Sequence, residues 1–229
     1  GEDRLPKVRE MVEEKGFLPQ DAEQRDQSWL DTYGMVQTIM ADFPEFLPNT
    51  YDQYYLYPDY KASHLDPNFT RADEVMAGRE KRVFTECAEV IKEGKLGDKF
   101  HAISDAHAEM MIKVAEAIAY NKNDRHILIV ENNGAIANMQ DDAMVEVVCE
   151  LGINGPRPMR VGNIPQFNLG LLVNQVSCEK LIVDAYFENS YQKALEAFTL
   201  NRLINDAKKA RKVLDALIEA NKGMWPELR

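Results

Sequence analysis

One short block of β-branched residues interrupts a chain that is otherwise written in the helical period, and that interruption limits the folds open to it. His126-Ile127-Leu128-Ile129-Val130 is a brief apolar run of the kind that forms a buried strand. Met144-Val145-Glu146-Val147-Val148 and Met159-Arg160-Val161 read as two more, parted by Gly152-Ile153-Asn154-Gly155-Pro156. On both sides of the block, apolar residues recur at helical offsets. Arg4 to Glu14 predicts a short helix closed by Gly16, and Asp21 to Asp42 a long one that ends before Pro44. Thr70 is a good N-cap for a helix running to about Lys95, with Val83, Cys87, Val90 and Ile91 as its buried stripe. Ser104 caps a further helix whose face is Met111, Val114, Ala115, Ile118 and Ala119. From Pro165 the pattern is helical to the end, and the last helix presents Ala210, Val213, Leu214, Leu217 and Ile218 before stopping at Gly223. Helices, then a few strands, then helices predict an α+β fold, mostly helical with a small antiparallel sheet. The alternation of a doubly wound nucleotide domain is missing.

At 229 residues the chain can bury a full core, so one domain, or a domain with a long appendage, is expected. Its net charge of −11 argues against a nucleic-acid surface, which needs a basic stripe, and against anionic membranes. An anionic small substrate has to be held by local arginines against the overall field. Cys87, Cys149 and Cys178 are odd in number and far apart, which suggests buried reduced thiols in a cytoplasmic protein and no disulfide framework. No apolar run approaches a membrane span. The opening Gly1-Glu2-Asp3, with no signal peptide and no initiator methionine, reads as a processed or excised piece.

Nucleotide-cradling glycine motifs are absent, as are H-E-x-x-H and G-x-S-x-G. His64, His101, His107 and His126 read as surface or packed histidines, since no pair falls at metal-ligand spacing. What remains is a tyrosine cluster and an arginine. Tyr51, Tyr54, Tyr55 and Tyr57 crowd a segment bounded by Pro48 and Pro58, which is expected to be irregular or extended. Arg71 follows twenty residues after Tyr51. A tyrosine near a fixed positive charge is a plausible general base, because the charge favours the phenolate. An arginine in the first turn of a helix is a plausible phosphate grip, where free N–H groups and the helix dipole point at the same anion. The bland alternatives are aromatic packing beside Pro58 and a salt bridge from Arg71 to Asp73 or Glu74. Asn132 and Asn133 could reach a site, though turn chemistry explains them nearly as well.

These residues sit inside longer motifs. Leu47-Pro48-Asn49-Thr50-Tyr51-x-Gln53-Tyr54-Tyr55-Leu56-x-Pro58-Asp59 and Pro67-Asn68-x-Thr70-Arg71-Ala72-x-Glu74-Val75-Met76-x-Gly78-Arg79-Glu80 resemble the 6-phospho-α-glucosidase branch of glycoside hydrolase family 4. So do Leu128 to Ile136, Ala143 to Val147, Val161 to Phe167 and Glu219 to Leu228, in the family's order. The resemblance covers essentially all of residues 1–229, yet family enzymes are about twice this length. It implies a lactate/malate dehydrogenase-like C-terminal domain alone, with the N-terminal NAD-binding Rossmann domain and the metal-holding cysteine and histidine outside this chain.

The resemblance further implies hydrolysis of 6-phospho-α-glucosides such as maltose 6-phosphate, with NAD and a divalent metal, usually manganese. Hydride leaves C3, the ketone acidifies the C2 proton, a tyrosine removes that proton, the glycosidic oxygen is eliminated, water adds, and the hydride returns. Matched residue by residue, the base falls on Tyr51 and the substrate-binding arginine on Arg71, with Tyr54 and Tyr55 the runners-up for the base. A homodimer or homotetramer is expected, and the chain alone is expected to be inactive and to bind no cofactor. Two other readings stand beside this one. The first is a non-enzymatic binding or oligomerisation module of the same fold. The second is the catalytic domain of a 2-hydroxy-acid dehydrogenase, for which none of the four histidines has the required setting.

Overall fold

The β-branched block folds into the antiparallel sheet that its composition predicts. A computed structural model of the chain describes residues 2–16, 27–95, 106–204 and 206–229. The strands are β1 (Asp124–Glu131), β2 (Met144–Gly152) and β3 (Gly155–Pro158), in the order β1-β2-β3. The register sets Leu128 opposite Val147 and Val130 opposite Val145. Alternate residues therefore share a face, and Val145, Val147 and Cys149 are buried with Ala135, Ile136, Met139, Ala143 and Val176. Ile127 and Ile129 point the other way and are exposed.

The third strand lies earlier than expected. Residues 159–161 are not a strand, and β3 is drawn instead from the stretch taken as a separator. Glycine and proline argue against a central strand, but β3 is an edge, where the absent N–H groups of Pro156 and Pro158 are tolerated. A two-residue turn, Ile153-Asn154, joins it to β2. Glycine is required at position 152, where an added Cβ would lie 2.6 Å from Asn121 Oδ1. That same oxygen accepts the Ile153 N–H at 3.0 Å.

The chain divides into two compact units, Gly1–Thr70 and Arg71–Arg229. In the first, α1 (Leu5–Lys15) and α2 (Gln27–Asp42) pack through Val12, Val36 and Met40, with Val8 partly buried beside them. Gly16 ends α1 in a positive-φ conformation (φ 72°), as expected, and α2 stops at Asp42, two residues before Pro44. The expected start of α2 at Asp21 lies outside the described residues. The tyrosine segment departs from the expectation of irregular chain: it forms two short helices, α3 (Asp52–Leu56) and α4 (Pro58–Ser63). Pro58 begins α4, a position where its fixed φ suits the helix and its missing N–H is not needed.

In the second unit, α5 (Arg71–Glu93) follows Thr70 and ends at Gly94 (φ 67°). Its predicted stripe is a correction. Val83 and Val90 are half-buried, but Ile91 is 83% exposed and Cys87 is exposed, so only Cys149 and Cys178 are buried thiols. Periodicity marks a face that wants cover without saying what supplies it. In α6 (Ala106–Ala119) the fully buried residue is Ala117, while Met111 and Ile118 of the predicted face are exposed. Ser104 lies outside the described residues.

The C-terminal helices are α7 (Gln166–Glu188), α8 (Tyr191–Leu200) and α9 (Ala207–Ala220). Asn189 closes α7 in the left-handed region, and Ser190 and Asp206 cap α8 and α9 by accepting the N–H groups of Lys193 and Lys209. Ala210 and Leu214 of the expected α9 stripe are fully buried, and Leu214 packs with Ala185 and Ala194. A fully buried leucine contributes roughly 1.5–3 kcal/mol through its apolar surface.

Candidate functional site

Tyr51 occupies the N-cap position of α3, on a turn that the preceding residues build locally. Its N–H donates to Asn49 Oδ1 at 2.8 Å, the Asn49 N–H donates to Asp52 Oδ2 at 2.7 Å, and the Asp52 N–H donates to Asn49 O at 3.0 Å. Burial pushes the Asp52 carboxyl upward, and the bond from Asn49 partly offsets this. The Tyr51 side chain is 68% exposed, with its ring centroid 6.2 Å from that of Tyr54.

The cluster contains a cation that the sequence reading missed. Lys61, only 9% exposed, sets its ammonium 5.5 Å from the Tyr54 ring centroid. A partly desolvated cation over an aromatic face contributes about 0.5–2 kcal/mol. Lys61 follows Tyr54 at a seven-residue spacing that would share one face of a continuous helix, but Pro58 hides that register in the sequence. The remaining tyrosines differ in state. The Tyr57 hydroxyl donates to the Asp42 carboxylate, and burial, then that carboxylate, push the Tyr57 phenol up to about 12. Such a phenol stays protonated and is no base at neutral pH. Tyr60 stacks on His64 with centroids 4.1 Å apart.

Gln53 is the buried residue of α3, at 2% exposure. Its Nε2 donates to Thr50 O at 2.7 Å and to Thr32 Oγ1 on α2 at 3.3 Å. Its Oε1 is buried with no hydrogen-bond partner among the described residues. An unpaired buried acceptor costs about 1–3 kcal/mol. A polar residue between two tyrosines gives no sequence signal that separates it from a solvated one.

Arg71 is the first residue of α5 and belongs to the second unit, whereas Tyr51 belongs to the first. The Arg71 Nη1 donates to Glu74 Oε2 at 2.5 Å, and both side chains are largely exposed. The bland alternative for Arg71 is therefore present in the structure.

Asn132 is fully buried and structural. Its Nδ2 lies 3.0–3.1 Å from the carbonyl oxygens of Ile136, Met139 and Gln140, and its Oδ1 accepts the Ile136 N–H at 2.7 Å. Asn133 (φ 41°) and Gly134 (φ 79°) make the tight turn beside it, so turn chemistry accounts for both asparagines. An apolar concavity of about 310 Å³ between α7 and α8, lined by Cys178, Ile182, Phe198 and Leu203 among others, contains none of the predicted site residues. Among the described residues, no three His, Cys, Asp or Glu side chains gather into a group that could hold a metal ion.

Comparison with known proteins now adds to this geometry. A family model described as the family 4 glycosyl hydrolase C-terminal domain matches residues 1–204. The maltose-6'-phosphate glucosidase of Bacillus subtilis (strain 168) is 48% identical over 229 residues, which cover 100% of this chain and 51% of that protein. That of Fusobacterium mortiferum is 47% identical, covering 100% of this chain and 52% of that protein. A crystal structure of a 6-phospho-alpha-glucosidase from gut microorganisms in complex with NAD and Mn2+ is 80% identical, with a TM-score of 0.93, over 100% of this chain and 52% of that one. Another, in complex with NAD and glucose-6-phosphate, is 43% identical with a TM-score of 0.91, again over 100% and 52%. The chain spans about half the length of the curated relatives it matches. The mostly helical architecture with a three-stranded antiparallel sheet is that of the family's C-terminal domain, the dehydrogenase-like layout expected above.

Proposed function

Because the chain belongs to the family 4 glycosyl hydrolases, matching their C-terminal domain over residues 1–204, we propose that residues 1–229 act as the C-terminal part of a 6-phospho-α-glucosidase. Its substrates are maltose 6-phosphate or similar phosphorylated disaccharides. The observation that carries this reading is the 48% identity to a maltose-6'-phosphate glucosidase across the whole of this chain.

Tyr51 is the base in this reading. It removes a proton from a sugar carbon that stands beside a carbonyl, where the resulting negative charge is delocalised and the barrier to C–H cleavage is lowest. Its exposure supports the role, since the phenol can meet a substrate, and the Lys61 ammonium lies over the neighbouring Tyr54 ring. Tyr57 is excluded by its commitment to Asp42. Arg71 binds the sugar phosphate through a charge-assisted, bidentate-capable guanidinium at a helix start.

NAD and a divalent metal, manganese in this reading, supply the redox step and the polarisation of the carbonyl in the full-length enzyme. Among the described residues no metal set gathers, and the sequence holds no glycine-rich dinucleotide cradle. Both belong to the remainder of the protein, and this chain alone is inactive. The same reading carries assembly as a homodimer or homotetramer, read by light scattering, and a cytoplasmic location. No helix among the described residues is long and apolar enough to cross a membrane.

In the full-length enzyme, Tyr51→Phe is expected to lower turnover by about 100- to 10,000-fold, the range for removing a general base, while glucose 6-phosphate still binds. Turnover at the parental rate would remove Tyr51 from the role.

A further inference from the structure

We propose that Gln53 is the positioning residue of this site, holding the turn that carries Tyr51 and so setting the phenol where it removes the proton. The inference rests on the reading of Tyr51 as the base.

Nothing polar among the described contacts anchors the Tyr51 side chain itself. It is exposed, and the ring beside it is that of Tyr54. Its position is therefore inherited from its backbone. The bonds among Asn49, Tyr51 and Asp52 run between neighbours at most three residues apart, so they shape the turn without tying it to a rigid element. Gln53 supplies the tie. One amide nitrogen reaches Thr50 O at 2.7 Å, on the residue before the base, and Thr32 Oγ1 at 3.3 Å, on the long helix α2. The donation to Thr50 O also fixes which end of the amide is nitrogen.

The other end gives the second observation. Gln53 Oε1 is buried without a partner, although an apolar side chain of similar length would fill the same space at no such cost. Glutamine is thus a poor choice for packing alone. What it provides and methionine does not is a directional bond to the carbonyl that precedes Tyr51. Catalysis is sensitive to that kind of placement, because reacting atoms need near-contact geometry before a proton transfers.

The test is Gln53→Met in the full-length enzyme, assayed on a 6-phospho-α-glucoside with hydrogen and with deuterium at C2, beside Tyr51→Phe. We expect kcat to fall about 100-fold, as for a misplaced reacting group, with KM nearly unchanged. The C2 deuterium isotope effect on kcat should rise, because proton removal becomes the slow step, and Tm should stay within a few degrees of the parent. A merely structural role would lower the active fraction and Tm together and leave the isotope effect unmoved. A parental kcat, or a lowered kcat with an unchanged isotope effect, overturns the proposal. If Gln53→Met does not fold, Thr32→Val removes the far end of the tie and must raise the isotope effect in the same direction. No rise there overturns it equally. An active Tyr51→Phe sinks the base assignment itself, whereas an inactive one beside an unaffected Gln53→Met sinks only the positioning role.

Discussion

Two buried side-chain amides, one in each compact unit, are treated in opposite ways. Asn132 closes the loop after β1 on itself, with its nitrogen shared among three carbonyls and its oxygen engaged by the Ile136 N–H. Gln53 ties the Tyr51 turn to α2 with its nitrogen and leaves its oxygen buried and unpaired. The same functional group is a closed staple in one place and an incompletely satisfied tether in the other. Complete satisfaction marks a structural role, because every lost bond exposes a buried partner. Incomplete satisfaction costs stability, and a residue kept at that cost is where function should be sought.

The contrast should break most visibly at Asn132. Asn132→Ala deprives the Ile136 N–H of its acceptor and the three carbonyls of their donor, so we expect a loss of about 3 kcal/mol in urea denaturation. Activity per folded molecule should be parental, and a loss under about 1 kcal/mol would contradict the staple. Arg71→Ala reverses the pattern. Its exposed pair with Glu74 contributes at most about 0.5 kcal/mol to the fold. A lost charge-assisted phosphate bond should instead raise KM for the phosphorylated disaccharide roughly 10- to 100-fold. An unchanged KM would return Arg71 to the salt-bridge reading.

The smallest effect sharpens the first unit. The folded pKa of Tyr57 is raised, so its contribution to stability is complete below the ordinary phenol value of about 10 and is lost as pH rises through about 12. A spectrophotometric titration should show a late-ionising phenol that is lost in Tyr57→Phe, while Tyr191, also raised by its hydrogen bond to Asp215, stays. If that variant's titration matches the parent's, the bond to Asp42 is not what holds the proton.

Much of this was legible from local chemistry. Gly16 and the stop before Pro44 are read correctly because caps and breakers act on the nearest turn, whereas the caps Ser190 and Asp206 are found only in the structure. Strands β1 and β2 follow from β-branched content. Tyr51 and Arg71 are nameable from motif and spacing. What escaped depends on distant partners. Lys61 is indistinguishable from a solvated lysine until α4 folds it over Tyr54. The commitment of Tyr57 to a carboxylate fifteen residues away has no local signal either. On α5 the apolar stripe is real, but Ile91 at its end is exposed, since a period describes a face and not its cover.

Residue order alone determined the class of the fold, the ends of helices closed by Gly16 and before Pro44, and the candidacy of Tyr51 and Arg71, because each of these is set by interactions within a few positions. Tertiary structure decided which of four neighbouring tyrosines is exposed, which is locked by a carboxylate, and which amide anchors the turn between them. Those outcomes depend on burial and on partners brought from other helices, and desolvation has no magnitude until the chain has closed around a group.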